Sequence, residues 1–405
     1  MTADKITAIS IKGLRSIEDV TLRLDELTVL IGENGAGKSS IVEAFELLRK
    51  AGAPSFVDNL ASLHGGLSLL LRDGAPRLTL GLEIAGDGPT IDYSFSIAPE
   101  GSLIVVHEER LVLRDEAGPV NVIVRDRASS SYVDAETGRQ EQFRVGAGSL
   151  LISAFGKRPP HPAIARTVAM LDGIEVHVPF DVRAFWVCRE RRWSAPLRDP
   201  TLIQPAASLM RVGDNLANVY HALKNDFGEE HWQATMDLVR LGLGDDVLGI
   251  NIQSMSGGGQ IALAMQLRGQ QQQVPASAMA DGTLAYLAFV ALAQLQTNRS
   301  VLVFDEPELH LHPRLLGRVL GIFETIARTT PVVLATHSDR LLDGLCTPAE
   351  SAVLCRLDPA TATSPRTTRL VRPNREALDE WLQTYRGLGD LRAAGVENVV
   401  MTEES

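Results

Sequence analysis

The sequence predicts an α/β protein whose core is a mixed or parallel sheet, and two patterns are the basis for this prediction. Toward the C-terminal end, helices alternate with continuous apolar strands at 300–304 and 331–335. Strands without apolar–polar alternation are typical of a parallel sheet that is buried on both faces. At the N-terminal end, a strand, a glycine-rich loop and an amphipathic helix follow one another within residues 27–50. Both patterns indicate a sheet covered by helices.

Composition limits the classes of protein that fit this chain. The 405 residues are 45% hydrophobic and 22% charged, which is the balance of a globular protein with a large core. The longest strongly apolar stretch, 284–295, is shorter than the roughly 20 residues that span a bilayer, and we expect no secretory signal and no membrane partner. Three scattered cysteines suit a reducing compartment, so a cytoplasmic protein is expected. The net charge of −11 argues against nucleic-acid binding through overall charge, although a local basic surface is compatible with it.

The other patterns predict two additions to the core sheet. Short alternating runs separated by turn residues, between 67 and 133, predict an antiparallel β subdomain. Residues 150–245 predict a mostly helical insert with one buried strand near 174–187, and a hairpin is expected from 247–253 and 260–267. The expected divisions are a core (1–60 and 246–360), an antiparallel β subdomain (61–149), a helical insert (150–245) and a C-terminal tail (361–405).

The glycine-rich loop has the full pattern of a phosphate-binding site. Residues 32–39 read Gly-Glu-Asn-Gly-Ala-Gly-Lys-Ser and match G-x-x-x-x-G-K-[ST] between a strand and a helix. Glycines let successive backbone N–H groups turn toward one anion at the positive end of the helix. Lys38 would reach the β- and γ-phosphates, and the Ser39 hydroxyl would bind Mg²⁺. The candidate nucleotide-binding residues of this loop are Gly32, Glu33, Asn34, Gly35, Ala36, Gly37, Lys38, Ser39 and Ser40.

Two later strand ends supply the missing parts of an ATP site. The apolar strand at 301–304 ends in two carboxylates. We expect Asp305 to hold Mg²⁺ and Glu306, which points differently, to act as general base on the attacking water. The next apolar strand ends in Thr-His-Ser, where His337 is a candidate to hydrogen-bond the γ-phosphate. The predicted catalytic residues are Glu306, Lys38 and His337, the predicted metal ligands are Ser39 and Asp305, and the predicted cofactors are ATP and Mg²⁺.

These motifs resemble the ATPase head of the ATP-binding-cassette (ABC) superfamily, in the branch that includes SMC proteins, RecF and the OLD (overcoming-lysogenisation) ATPases. The stretches that carry the resemblance are 9–16 leading into 32–39, Asp-Glu-Pro-Glu-Leu-His-Leu-His-Pro at 305–313, and Thr-His-Ser at 336–338. The chain is most similar to the stand-alone bacterial AAA family ATPases, which resemble the OLD head without its Toprim nuclease. The resemblance implies a P-loop NTPase fold, ATP hydrolysis and an ATP-dependent homodimer.

The resemblance also implies a signature motif that each head contributes to the nucleotide of its partner. Residues 279–283, Met-Ala-Asp-Gly-Thr, lie just before the helix that leads to the Asp305 strand and resemble L-S-D-G-T. Asp281, Gly282 and Thr283 are therefore candidate nucleotide-binding residues. Ala280 stands where the family has a serine that contacts the γ-phosphate, so a weaker dimer or slow turnover is expected. Residues 255–260 are closer in letters to L-S-G-G-Q, but they lie in the predicted hairpin turn.

The biological role is left open by the sequence. An arginine- and tryptophan-rich segment, 183–198, could bind a nucleic-acid backbone and stack on bases. It could also be a solvated helix end with its tryptophans in the core, or a contact to ATP or the second subunit. The predicted function is a dimeric ATPase switch in DNA metabolism or phage defence. The alternative is a nucleotide switch that regulates a separately encoded effector protein without direct DNA binding. The residues of the segment are Arg183, Trp186, Arg189, Arg191, Arg192, Trp193 and Arg198.

Overall fold

The computed structural model describes residues 4–54, 56–116, 118–156, 158–191, 194–255, 258–295, 297–361 and 365–402. Its strands are β1 (Lys5–Leu14), β2 (Ile17–Arg23), β3 (Leu27–Gly32), β4 (Leu78–Ala85), β5 (Thr90–Glu100), β6 (Leu103–Asp115), β7 (Gly118–Arg125), β8 (Ser130–Val133), β9 (Gln140–Gln142), β10 (Ile174–His177), β11 (Thr201–Leu202), β12 (Val247–Met255), β13 (Gln260–Leu267), β14 (Val274–Pro275), β15 (Val301–Asp305), β16 (Val332–Thr336), β17 (Ala352–Asp358), β18 (Thr367–Pro373) and β19 (Met401–Thr402).

Its helices are α1 (Lys38–Ala51), α2 (Phe56–His64), α3 (Leu67–Leu70), α4 (Leu151–Ala154), α5 (Pro162–Asp172), α6 (Phe185–Glu190), α7 (Leu216–Asn225), α8 (Glu229–Leu243), α9 (Asp281–Gln294), α10 (Pro313–Ala327), α11 (Asp339–Asp343), α12 (Pro348–Ser351), α13 (Arg375–Trp381) and α14 (Leu388–Ala393). Short 3₁₀ helices lie at Ala276–Ala278 and Glu397–Val399. No helix in these described ranges is long and apolar enough to cross a membrane.

The core sheet has the strand order β10-β15-β16-β3-β17-β18-β19. The neighbouring strands β10, β15, β16, β3 and β17 run parallel to one another. The next strand, β18, pairs antiparallel with β17. Since carboxyl ends of parallel strands meet at one edge, the loops that follow β3, β15 and β16 lie side by side. The fold class predicted from the alternation of helices and apolar strands is therefore confirmed.

Alternate side chains of the core strands belong to two different hydrophobic cores. In β15, Leu302 and Phe304 face the core that contains α9 and α10. Val301 and Val303 face the other core, which contains α1 and the strands β4 and β5. Because both faces of the strand are covered, every position but the last is buried, and this is the physical reason for the unbroken apolar run.

The predicted antiparallel sheet is present and larger than expected, with the order β2-β1-β4-β5-β6-β7-β8-β9. The strands β1 and β2 belong to it, whereas the expected division placed residues 1–60 in the core. The alternation in β1 explains the difference: Ile6, Ile9 and Ile11 are fully buried, while Ser10 and Lys12 are not. Such a two-faced pattern is typical of antiparallel strands.

Two segments outside the expected core also join the core sheet. β10 is its edge strand, and β18, from the expected tail, pairs with β17. The buried strand predicted near 174–187 ends at His177, because Pro179 lacks an N–H donor, and α6 begins at Phe185. The predicted hairpin is confirmed as β12 and β13. The four expected divisions stay a prediction.

Candidate nucleotide-binding site

The phosphate-binding loop joins the end of β3 to the start of α1 and depends on glycine at three positions. Gly35 and Gly37 have φ angles of 80° and 101°, a left-handed region that other residues enter only with strain. A Cβ on Gly37 would lie 2.5 Å from Thr368 Oγ1, and one on Gly32 would lie 2.2 Å from the Cys355 carbonyl oxygen. The loop is therefore seated against β17 and β18.

We expect Gly37→Ala to lower both the free energy of unfolding and the affinity for ATP. The left-handed backbone costs about 1–3 kcal/mol for a non-glycine residue, and the collision with Thr368 adds about 1–3 kcal/mol of overpacking. Urea unfolding and nucleotide titration measure the two effects. Gly74→Ala is the matched control, since Gly74 has φ 78° but no atom within 4 Å of the added Cβ. A Gly37 variant no less stable than the Gly74 variant would contradict the collision.

Lys38 is buried inside the loop, with only 5% of the residue exposed. Its Nζ donates to the carbonyl oxygens of Gly32 at 2.8 Å and Glu33 at 3.1 Å, and it lies 3.5 Å from Nδ1 of His337. Burial lowers the pKa of Lys38, and the negative charge of Asp305 opposes this shift. A buried ammonium held by neutral carbonyls is a favourable place for an anion.

Asp305 and Ser39 meet where β15 ends beside the start of α1. The Ser39 hydroxyl donates a hydrogen bond to the Asp305 carboxylate. Burial raises the pKa of Asp305, and the charge of Glu306 raises it further, so a cation here would favour the ionised carboxylate. Mg²⁺ is usually held by one or two protein oxygens together with phosphates and water. The donor set of Ser39 and Asp305 fits that ion.

Glu306 has the backbone conformation of a constrained site residue. Its φ of 50° is unusual for a glutamate, and its N–H donates to the Ala335 carbonyl at 2.7 Å. Such a conformation persists only where the surroundings impose it. Its Oε1 lies 3.8 Å from Nε2 of His337, and the two side chains are 37% and 36% exposed. Water can therefore reach the pair.

His337 is fixed by a carboxylate to which the sequence analysis gave no role. Glu308 Oε1 accepts from the Thr336 hydroxyl at 2.7 Å and from the His337 N–H at 2.9 Å. Burial lowers the pKa of His337, and the charge of Lys38 lowers it further, so the neutral imidazole is favoured. The ammonium of Lys38 can only donate a hydrogen bond, so Nδ1 of His337, which faces it, must be the acceptor. The proton of the neutral ring is then on Nε2, which faces Glu306.

The candidate signature residues lie at the start of α9. Ala280 is the N-cap and offers no side-chain oxygen, so Thr283 N–H bonds to its carbonyl at 3.0 Å. A Cβ on Gly282 would lie 2.9 Å from the carbonyl oxygen of His310, which places this turn against the segment after Glu306. Within the described ranges, no hydrogen bond or ion pair joins 281–283 to the phosphate loop of the same chain. Their nucleotide-binding role stays a prediction.

Arg198 supports the signature turn from a buried position. The residue is only 5% exposed. Its Nη1 donates to the carbonyl oxygens of Met279 at 2.8 Å and Ala276 at 3.1 Å, and its Nη2 forms an ion pair with Asp281. Its Nε donates to the Arg183 carbonyl at 2.9 Å. The suggestion that Arg198 binds nucleic acid is therefore wrong, because this guanidinium is enclosed by protein carbonyls.

The other members of the arginine- and tryptophan-rich segment differ from Arg198. Trp186 is not a core residue, because it is 70% exposed. Arg183 forms an ion pair with Asp181. Arg191 is exposed. Arg192 and Trp193 lie outside the described residues, as do Ser256 and Gly257 of the other signature candidate.

Two protein-family models match separate parts of this chain. Residues 5–98 match the family model "AAA ATPase domain", and residues 192–343 match the model "AAA domain, putative AbiEii toxin, Type IV TA system". These two ranges contain all the candidate nucleotide-binding, metal-binding and catalytic residues, namely 32–40, 281–283, 305–306 and 337. No curated protein matches the chain.

Solved structures of SMC heads are similar in fold. An SMC head bound to the C-terminal winged-helix domain of ScpA has 13% identity and a TM-score of 0.52, over 93% of this chain and 99% of that one. An SMC head with an extended coiled coil, bound to the C-terminal domain of ScpA from Pyrococcus furiosus, has 13% identity and a TM-score of 0.49, over 94% and 98%. The SMC head of Thermotoga maritima has 12% identity and a TM-score of 0.42, over 90% and 99%. The first of these shows the fold.

Proposed function

We propose that this chain, an ABC/SMC-like AAA ATPase that binds and hydrolyses ATP, works with Mg²⁺ as an ATP-dependent homodimeric switch in the cytoplasm. One observation carries the proposal: the ends of β3, β15 and β16 bring Lys38, Asp305, Glu306 and His337 together. Lys38 Nζ lies 3.5 Å from His337, and His337 lies 3.8 Å from Glu306. This is the charge arrangement that phosphoryl transfer to water requires.

The roles follow from the surroundings of each side chain. Lys38 and the loop N–H groups bind the phosphates, and Ser39 and Asp305 hold Mg²⁺, which would neutralise charge on the leaving group. Glu306, exposed to water, accepts a proton from the attacking water, and His337 donates from Nε2 to the terminal phosphate. Glu308 positions His337 through its backbone N–H. The products are ADP and phosphate.

Two features support a site completed by a second copy of the chain. Glu306 and His337 are each about one-third exposed, so one face of the site is open. The N-terminus of α9, at Gly282, is a helix start of the kind that can bind an anion, and within the described residues no hydrogen bond or ion pair joins it to the phosphate loop of its own chain. A second head can present this turn to the open face.

DNA metabolism or phage defence is the cellular role that we propose for the switch. Two observations support this role. Trp186 and Arg191 are both exposed. The family model that matches 192–343 is described as a putative AbiEii toxin. The alternative is regulation of a separately encoded effector without DNA binding. The net charge of −11 and the burial of Arg198 favour the alternative, and one SMC head of similar fold is bound to a domain of ScpA.

Light scattering after size exclusion, with DNA added in a second arm, tests the proposal. We expect the wild type to be monomeric alone and dimeric with Mg²⁺ and ATPγS, while Lys38→Ala stays monomeric. Duplex and single-stranded DNA are then added at about 50 mM and 200 mM salt, because phosphate contacts weaken steeply over this range. If the wild type stays monomeric at saturating ATPγS, the proposed homodimeric switch is contradicted. Absence of DNA binding at low salt leaves the effector alternative.

A further inference from the structure

A C-terminal helix packs directly beside the candidate catalytic histidine. α14 lies against α11, which begins two residues after His337. Leu388 and Leu391 of α14 are buried in the same core as Leu341 and Leu342 of α11. The expected tail of the chain is therefore part of the structure that surrounds the nucleotide site.

Backbone contacts fix the position of α14. The Asp390 N–H donates to Asp343 Oδ1 at 2.8 Å. A Cβ on Gly389 would lie 1.8 Å from the carbonyl oxygen of Asp339, so only glycine allows the two helices this close. Because the approach is tight, the side chain that α14 directs toward α11 has a defined place.

That side chain is Arg392, whose Nη1 donates to Asp339 Oδ1. Only 20% of the arginine side chain is exposed. Burial is the main cause of the lowered pKa of His337, which lies two residues before Asp339, and the charge of Arg392 contributes to this shift. The guanidinium therefore lies within electrostatic reach of His337.

Asp339 uses only part of the hydrogen-bonding capacity of Arg392. A guanidinium has five N–H donors in a rigid fork that suits phosphate oxygens. Asp339 engages Nη1, and no other partner of Arg392 is found within the described residues. An arginine with spare donors, held by Asp339 only two residues after His337, suits the end of the triphosphate that ADP lacks.

We propose that Arg392 is a further phosphate-binding residue, supplied by the same chain, that contacts the terminal phosphate and makes the site prefer ATP over ADP. Asp339 and the close packing at Gly389 position it. The inference rests on the proposed ATP site and adds a residue from 361–405 to it.

The test compares affinities for Mg–ATP and Mg–ADP by titration calorimetry in a Glu306→Gln background, so that ATP is not consumed. Arg392→Ala should weaken ATP binding about tenfold or more and leave ADP binding within about twofold, since a hydrogen bond to a charged group is lost for ATP alone. Arg392→Lys should retain part of the affinity. Arg375→Ala is the control, because Arg375 has a side chain that is 74% exposed and pairs with Glu350 on another helix.

A second variant and a second measurement separate the outcomes. Gly389→Ala must move α14 and should show the same selective loss for ATP. Equal losses of ATP and ADP, or no loss, would overturn the assignment. Lys38→Ala should lose both nucleotides, and a parent protein that binds neither would remove the proposed function as well. If Arg392→Ala does not fold, hydrogen exchange of 388–393 in the wild type decides, with protection by ATPγS but not by ADP expected.

Discussion

We expect Glu306→Gln to lower the rate of ATP hydrolysis by about 10²–10⁴-fold and to leave Mg–ATP binding intact, because it would remove the proposed general base and keep the shape of the side chain. The backbone N–H of residue 306 still donates to Ala335, so the turn is unchanged. Phosphate release at saturating ATP measures the turnover number, and calorimetry measures the affinity.

The same variant should accumulate as a dimer with ATP, since hydrolysis no longer reopens it. Glu116→Gln is the matched control, because Glu116 is exposed in the turn between β6 and β7. Its turnover should equal that of the wild type. If Glu306→Gln hydrolyses ATP within about threefold of the wild-type rate, another group is the base, since an effect this small is below the range of general-base catalysis.

Arg198→Ala should lower the free energy of unfolding by about 3 kcal/mol or more, because several buried carbonyl oxygens lose their donor at once. The carbonyls of Ala276 and Met279 both lie in the segment that leads to the signature turn. Loss of their support should weaken the ATP-dependent dimer more than it weakens ATP binding to one chain. Urea unfolding, light scattering and nucleotide titration measure the three quantities.

Arg183→Ala is the control for this experiment, because Arg183 belongs to the same segment and its side chain is 47% exposed. We expect no measurable change in its unfolding. Arg198→Lys should resemble the alanine variant, since an ammonium cannot reproduce a planar fork of donors. An Arg198 variant with normal stability and a normal ATP-dependent dimer would remove the support that we assign to this residue.

The central part of the site was predictable because its signals are local. The pattern of the glycine loop lies within eight consecutive residues, 32–39. The two acidic residues, Asp305 and Glu306, directly follow an apolar strand. The rule that parallel strands end at one edge then brings Lys38, Asp305 and His337 together. The family models confirm the predicted resemblance and an ATPase, and the similarity to an SMC head confirms the predicted fold. The catalytic and ligand roles of these residues stay predictions.

Other parts of the site had no local signal. Glu308 is one acid among many in the sequence, and its bonds to Thr336 and His337 depend on how two loops meet. Arg198 belongs to a cluster that could have been a nucleic-acid surface. Its burial is set by contacts with 276–281, far away in the chain. Composition and spacing do not carry that information.

The amino-acid sequence by itself determined the phosphate-binding loop, the acidic strand end and the α/β class, because each depends on neighbouring residues or on a short period. The tertiary structure alone decided the left-handed backbone of Glu306, the burial of Arg198 and the position of Arg392 beside Asp339. These features arise where segments distant in the chain are packed together. Backbone strain, burial and ion pairing depend on which atoms surround a residue, and only the folded chain supplies those atoms.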